Sequence, residues 1–119
     1  METRRSILLL DLPETLAREL QKVLRRPSWA VDSQPSLSDD LAADLIFCAA
    51  EPQRYRALLE ELKRKKLGLP VVVVSRLPDI SNWLDAIEAG ASDYCAPPFD
   101  ARHIQWIVQS AFRSQPVAA

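Results

Sequence analysis

Glycine is almost missing from this chain: only Gly68 and Gly90 occur. Loops that cradle a phosphate need glycines at fixed offsets, so that backbone N–H groups can approach the anion. The turn after the first apolar run instead reads Asp11-Leu12-Pro13-Glu14-Thr15, with no glycine and a single hydroxyl. A flavin- or nucleotide-binding module is therefore the weakest of the functional classes weighed. Histidine is single, His103, and cysteine occurs only as Cys48 and Cys95. One imidazole and two distant thiols make neither a zinc ligand set nor a disulfide framework. Both cysteines lie in apolar stretches and are expected to be buried free thiols. No apolar run approaches the ~20 residues that a membrane span requires. The first residues lead straight into a short apolar run rather than a signal-peptide core, so a cytoplasmic location is expected. Neither sign of charge dominates, with 15 basic against 16 acidic residues. That balance gives no general pull toward nucleic acid or membrane.

What is present is an ordinary globular composition: 119 residues, 48% apolar and 26% charged. The size fits one domain, with a core over 5–115 and a tail or linker at 116–119. Residues 6–10, 44–50 and 70–75 are short, nearly continuous apolar runs, the pattern of strands buried on both faces. Trp29, Ala30 and Val31 form a weaker strand candidate. Between these runs the spacing predicts helices. The first covers 14–26, opened by Pro13 and stopped by Pro27, with Leu16, Leu20, Val23 and Leu24 on one side. A brief helix over 36–43 would be capped at Ser36. The next spans 51–67, striped by Tyr55, Leu58, Leu59 and Leu62 and closed by Gly68. A further helix runs from an Asp79 cap to Ala89, with Ile80, Trp83, Leu84 and Ile87 on its apolar side. The last runs from an Asp100 cap to about Ser114, striped by Ile104, Ile107, Val108 and Ala111. The cations Lys63, Arg64, Lys65 and Lys66 gather at a helix C-terminus, where they complement the macrodipole without needing a ligand.

Five β-α units in sequence require right-handed crossovers and a parallel sheet covered on both sides. The expected architecture is a three-layer α/β/α sandwich: five parallel strands in flavodoxin-like order 2-1-3-4-5, with five helices. In such sheets a site lies beyond the carboxyl ends of the strands. Those ends are Asp11 and Leu12, Ala49 and Ala50, Ser75, and Pro97.

Residues 90–100 read Gly-Ala-Ser-Asp-Tyr-Cys-Ala-Pro-Pro-Phe-Asp. Together with 7–11, 44–52 and 70–75, this segment resembles the receiver domain of response regulators, and the resemblance covers nearly the whole chain. In that family two acids after the first strand and an aspartate after the third bind Mg²⁺, and the third-strand aspartate accepts a phosphoryl group from a histidine kinase. A hydroxyl residue after the fourth strand and a lysine after the fifth contact that group. Carried over position by position, the first acid is Asp11 and the second is Leu12. The acceptor falls on Ala49 when counted from Asp44, or on Cys48 when counted back from Pro52. Ser75 keeps the hydroxyl position, and Pro97 replaces the lysine. The resemblance thus implies a degenerate pseudo-receiver in two-component signalling, related to phosphorelay proteins but without phosphotransfer, Mg²⁺ or enzyme activity. Its expected partners are proteins: a sensor kinase, an output domain or a second copy. Its working face would be 79–114, with Trp83, Tyr94 and Trp106 as candidate contacts. Trp83 is equally read as packing in the core or along its own helix. A receiver using a relocated carboxylate such as Asp11 is the alternative. Glu51, two residues past Ala49, is either a helix N-terminal acid or a constitutive phosphate mimic. His103 reads as an exposed helix residue. One cis bond is expected at Pro97-Pro98, from the family's habit before this proline.

Overall fold

The computed structural model describes residues 5–36, 43–65, 68–76 and 80–114. In chain order the elements are β1 (Arg5–Leu10), α1 (Glu14–Val23), β2 (Trp29–Gln34), β3 (Leu45–Ala49), α2 (Pro52–Arg64), β4 (Val71–Val74), α3 (Ile80–Ala89), β5 (Asp93–Cys95) and α4 (Ala101–Ser114). The strands form one sheet in the order β2-β1-β3-β4-β5, every neighbouring pair parallel. The expected sandwich and strand order are therefore present. Four helices rather than five stand among the described residues. Most of the helix expected over 36–43, the Asp79 cap and the 116–119 tail lie outside them.

Alternation of side chains along a strand sends neighbours to opposite faces, and the core divides accordingly. Ile7, Leu9, Leu45, Phe47, Val72 and Val74 face one way, against Leu16 and Leu20 of α1 and Ile104, Ile107 and Val108 of α4. Leu8, Leu10, Ile46, Cys48, Val71 and Val73 face the other, against Tyr55, Leu58 and Leu62 of α2 and Ala86 of α3. The apolar runs are uninterrupted because both faces of these strands are covered. Register is pinned where β3 begins: the Asp44 N–H donates to the Ser6 carbonyl at 2.7 Å, and Asp44 Oδ2 accepts from the Ser6 N–H at 2.7 Å.

Three expectations need correction. The second strand runs to Gln34 rather than stopping at Val31, because the β1 ladder extends to Leu10 opposite Gln34. Its polar Asp32 and Ser33 are exposed at the sheet edge, where side-chain polarity does not oppose pairing. The first helix ends at Val23 rather than near Arg26, since the chain already turns at Arg26, whose carbonyl accepts from the Trp29 N–H at 3.1 Å. The third correction concerns α3. Its apolar side faces solvent, with Ile80 73%, Leu84 51%, Trp83 43% and Ile87 39% exposed, and its one fully buried residue is Ala86. Trp83 is thus not a core residue. Among the three tryptophans only Trp29 is buried, edge-on to Phe112 with ring centroids 6.5 Å apart.

Candidate functional site

Asp11 stands at the end of β1 with φ +50°, a left-handed conformation that L-residues with side chains adopt at a cost. Its N–H donates to the Gln34 carbonyl at 2.7 Å, which fixes the turn. Its carboxylate Oδ2 accepts from Arg54 Nη1, and Arg54 Nε lies 3.0 Å from Glu51 Oε2. One guanidinium therefore joins an acid from the end of β1 to the residue that precedes α2. Glu51 occupies the helix N-cap position, and its carbonyl accepts from the Arg54 N–H at 2.8 Å and the Tyr55 N–H at 3.0 Å. Its side chain is turned to Arg54, as a helix N-terminal acid paired with a first-turn cation would be.

Asp11, Cys48, Ala49 and Arg54, with Leu10 and Leu58, line a pocket of about 300 Å³. Both candidates for the acceptor position thus share the space next to Asp11. Ala49 has no functional group, and burial pushes the Cys48 thiol up to about 12, far from thiolate chemistry near neutrality. Burial does the same to Cys95, also to about 12. Leu12 is half-buried against the α1/α4 core rather than presented as a ligand. Ser75 is half-buried at the end of β4, and its N–H donates to the Cys95 carbonyl at 2.9 Å. Pro97 forms the expected cis bond to Pro98. Neither Ser75 nor Pro97 lines the Asp11 pocket. The structure therefore brings Asp11 and Ala49 together in this pocket, and Asp11 and Leu12 together in an adjoining one, while Ser75 and Pro97 line neither.

Mg²⁺ takes near-octahedral oxygen coordination with carboxylates carrying much of the charge. Here the one carboxylate at the first-strand position is held by a guanidinium, and Leu12 and Ala49 offer no side-chain oxygen. No group of three His, Cys, Asp or Glu suited to a metal occurs among the described residues. Among the described residues, those at this pocket do not fit the ion while Asp11 is held by Arg54.

The second candidate region is the surface of α3 and α4. Trp106 is 56% exposed, so both Trp83 and Trp106 reach solvent. His103 is exposed as expected. Tyr94 is different: it is half-buried against the α2/α3 core, and its hydroxyl is enclosed without a hydrogen-bond partner among the described residues. The inner side of α3 is polar where it meets α2. Asp85 accepts from the Tyr55 hydroxyl at one oxygen and from Arg56 at the other. These two hydrogen bonds, Tyr55 first and Arg56 second, hold the Asp85 carboxyl below its ordinary range. Burial, then the bond to Asp85, pushes the fully buried Tyr55 hydroxyl up to about 12.

Two of these features were missed in the sequence. Arg54 had one legible signal: a cation in the first turn of a helix opposes the macrodipole unless an acid answers it. The Tyr55–Asp85 bond had none, because its partners are 30 positions apart.

No protein-family model matches the chain. It is 24% identical over 111 residues to the photosynthetic apparatus regulatory protein RegA of Rhodovulum sulfidophilum, matching 83% of this chain and 58% of that protein. The chain thus spans little more than half the length of that relative. A response regulator from Thermotoga maritima superposes with a TM-score of 0.81 at 18% identity, over 93% of this chain and 99% of the other. A response regulator receiver protein from Pseudoalteromonas atlantica superposes with a TM-score of 0.70 at 24% identity, over 91% and 97%.

Proposed function

From a chain with the fold of a response-regulator receiver domain, we propose a module that contacts a protein partner through the outward face of α3 and takes no phosphoryl group. The observation that carries this reading is the stripe Ile80, Trp83, Leu84 and Ile87, spaced at i, i+3, i+4 and i+7 and turned to solvent. An apolar helix stripe of this kind is the recognition element of helix-in-groove contacts. Contiguous exposed apolar surface marks interaction sites more often than chance placement does. Covering each large side chain would contribute roughly 1.5–3 kcal/mol before the cost of association. Trp106 on α4 adds a second exposed aromatic, the residue type that dominates interface energetics.

The strand-end pocket supports the negative half of the proposal. Phosphoryl transfer needs an acceptor, a metal and a cation free to meet the developing charge. Ala49 cannot accept, Cys48 is a buried thiol, and the pocket cation Arg54 is already paired with two carboxylates. The same pairing weighs against Asp11 as a relocated acceptor. The proposed role is that of a non-enzymatic, cofactor-free element of a cytoplasmic two-component-type pathway, facing a sensor kinase, an output domain or a second copy.

Incubation with acetyl phosphate and Mg²⁺ followed by intact mass measurement is expected to leave the mass unchanged; gain of a phosphoryl group overturns the reading. A photoreactive residue at position 84 is expected to crosslink in cells to a discrete partner, or to the chain itself. A control at exposed Glu19 on α1 is expected to yield no such product. Equal crosslinking from both positions removes the case for α3.

A further inference from the structure

We infer that Arg54 is the built-in cation of the strand-end site, standing where a divalent ion would be needed and making the domain indifferent to Mg²⁺. The inference rests on the reading of the domain as phosphoryl-independent, and deepens it by naming what holds the site in one state.

Three observations converge on Arg54. The first is its position in the opening turn of α2, where the helix dipole repels a cation, so that its place there depends on paired acids. The second is that it meets two carboxylates from separate segments: Asp11 at the end of β1 and Glu51 before α2. A guanidinium suits this task because its planar fork offers Nε and Nη donors in fixed directions, whereas an ammonium acts as a point charge. The third is the turn at Asp11, whose backbone at φ +50° is tied by its N–H to the Gln34 carbonyl while its carboxylate meets Arg54. Two carboxylates against one guanidinium leave the cluster with one negative charge in excess, so a small oxygen-seeking cation is the ligand it would take if Arg54 were removed. With Arg54 in place, Asp11 is engaged and a divalent ion would have to displace a covalently tethered competitor.

The test is thermal melting of the full chain at low ionic strength, in chelator and in millimolar MgCl₂. The wild type is expected to melt at the same temperature in both. Arg54→Ala is expected to melt lower in chelator and to regain part of the loss with Mg²⁺, whereas Arg54→Ala combined with Asp11→Asn is expected to regain none. Arg54→Lys keeps the charge; without the fork it is expected to show a smaller Mg²⁺ response than Arg54→Ala, still above that of the wild type. A wild-type Mg²⁺ shift as large as that of the variants overturns the inference, as does an Arg54→Ala protein that folds and ignores Mg²⁺. Should Arg54→Ala fail to fold, a lysine variant as Mg²⁺-indifferent as the wild type also overturns it. A Mg²⁺ shift in the wild type without phosphoryl uptake from acetyl phosphate sinks this inference alone, and phosphoryl uptake sinks the functional reading beneath it.

Discussion

Helices α1 and α3 are each 10 residues long and amphipathic, yet they use their apolar sides in opposite ways. Helix α1 turns Leu16, Ala17 and Leu20 onto the sheet, beside α4. Helix α3 puts only Ala86 in the core and leaves Ile80, Trp83, Leu84 and Ile87 outside. Part of what anchors α3 is polar: Asp85 is bonded to Tyr55 and Arg56 of α2. Periodicity says which side chains share a face of a helix. It does not say which way that face points. When a polar residue on the other face has a buried donor waiting for it, the hydrogen bond can decide the orientation, because a buried donor left unpaired is costly.

The sharpest way to probe this contrast is to cut one leucine from each helix. Leu20→Ala on α1 removes a fully buried side chain and is expected to cost about 2–5 kcal/mol in urea unfolding. Leu84→Ala on α3 is expected to stay within about 0.5 kcal/mol of wild type, as surface substitutions do. Equal losses would mean that the α3 stripe is packed after all. A subtler break is Tyr55→Phe, which keeps the ring and deletes the donor to Asp85. It is expected to cost about 1 kcal/mol and to speed amide hydrogen exchange in α3 while α1 is unaffected.

The smallest effect is electrostatic. A carboxyl held below its unfolded pKa adds stability above the ordinary aspartate value of about 3.9, and that stability fades as pH falls through the folded-state value. Asp85 is such a group, so Asp85→Asn is expected to flatten the acid limb of the melting temperature plotted against pH. Tyr55 works with the opposite sign. Its protonated form is favoured in the folded state, so its contribution is full below the ordinary tyrosine value of about 10 and is lost as pH rises toward about 12. Tyr55→Phe is expected to remove that alkaline limb, and an unchanged limb would place its origin elsewhere.

Much of the fold was legible because its strands are homogeneous. The run Val71, Val72, Val73, Val74 and the run Ile7 to Leu10 have nowhere to go but the centre of a covered sheet. Gly90, at φ +115°, and Asp100, whose carboxylate accepts from the Arg102 N–H at 2.9 Å, mark helix ends by local chemistry alone. Less legible was β2, where Asp32, Ser33 and Gln34 pair for ladder reasons that side chains do not announce. At the candidate site, Asp11, Ala49, Ser75 and Pro97 were placed at strand ends by counting. Arg54 and the Asp85 anchor were not, because they depend on side chains reaching across elements.

The sequence alone determined the sheet and its strand order, since those follow from apolar runs and crossover handedness, and it put Asp11, Ala49, Ser75 and Pro97 at the strand ends. Only the tertiary structure decided that Arg54 closes over Asp11 and that α3 shows its apolar stripe to solvent. Both are outcomes of long-range pairing, in which the choice of hydrogen-bond and ion-pair partners, rather than the pattern of hydrophobicity, sets which way a side chain turns.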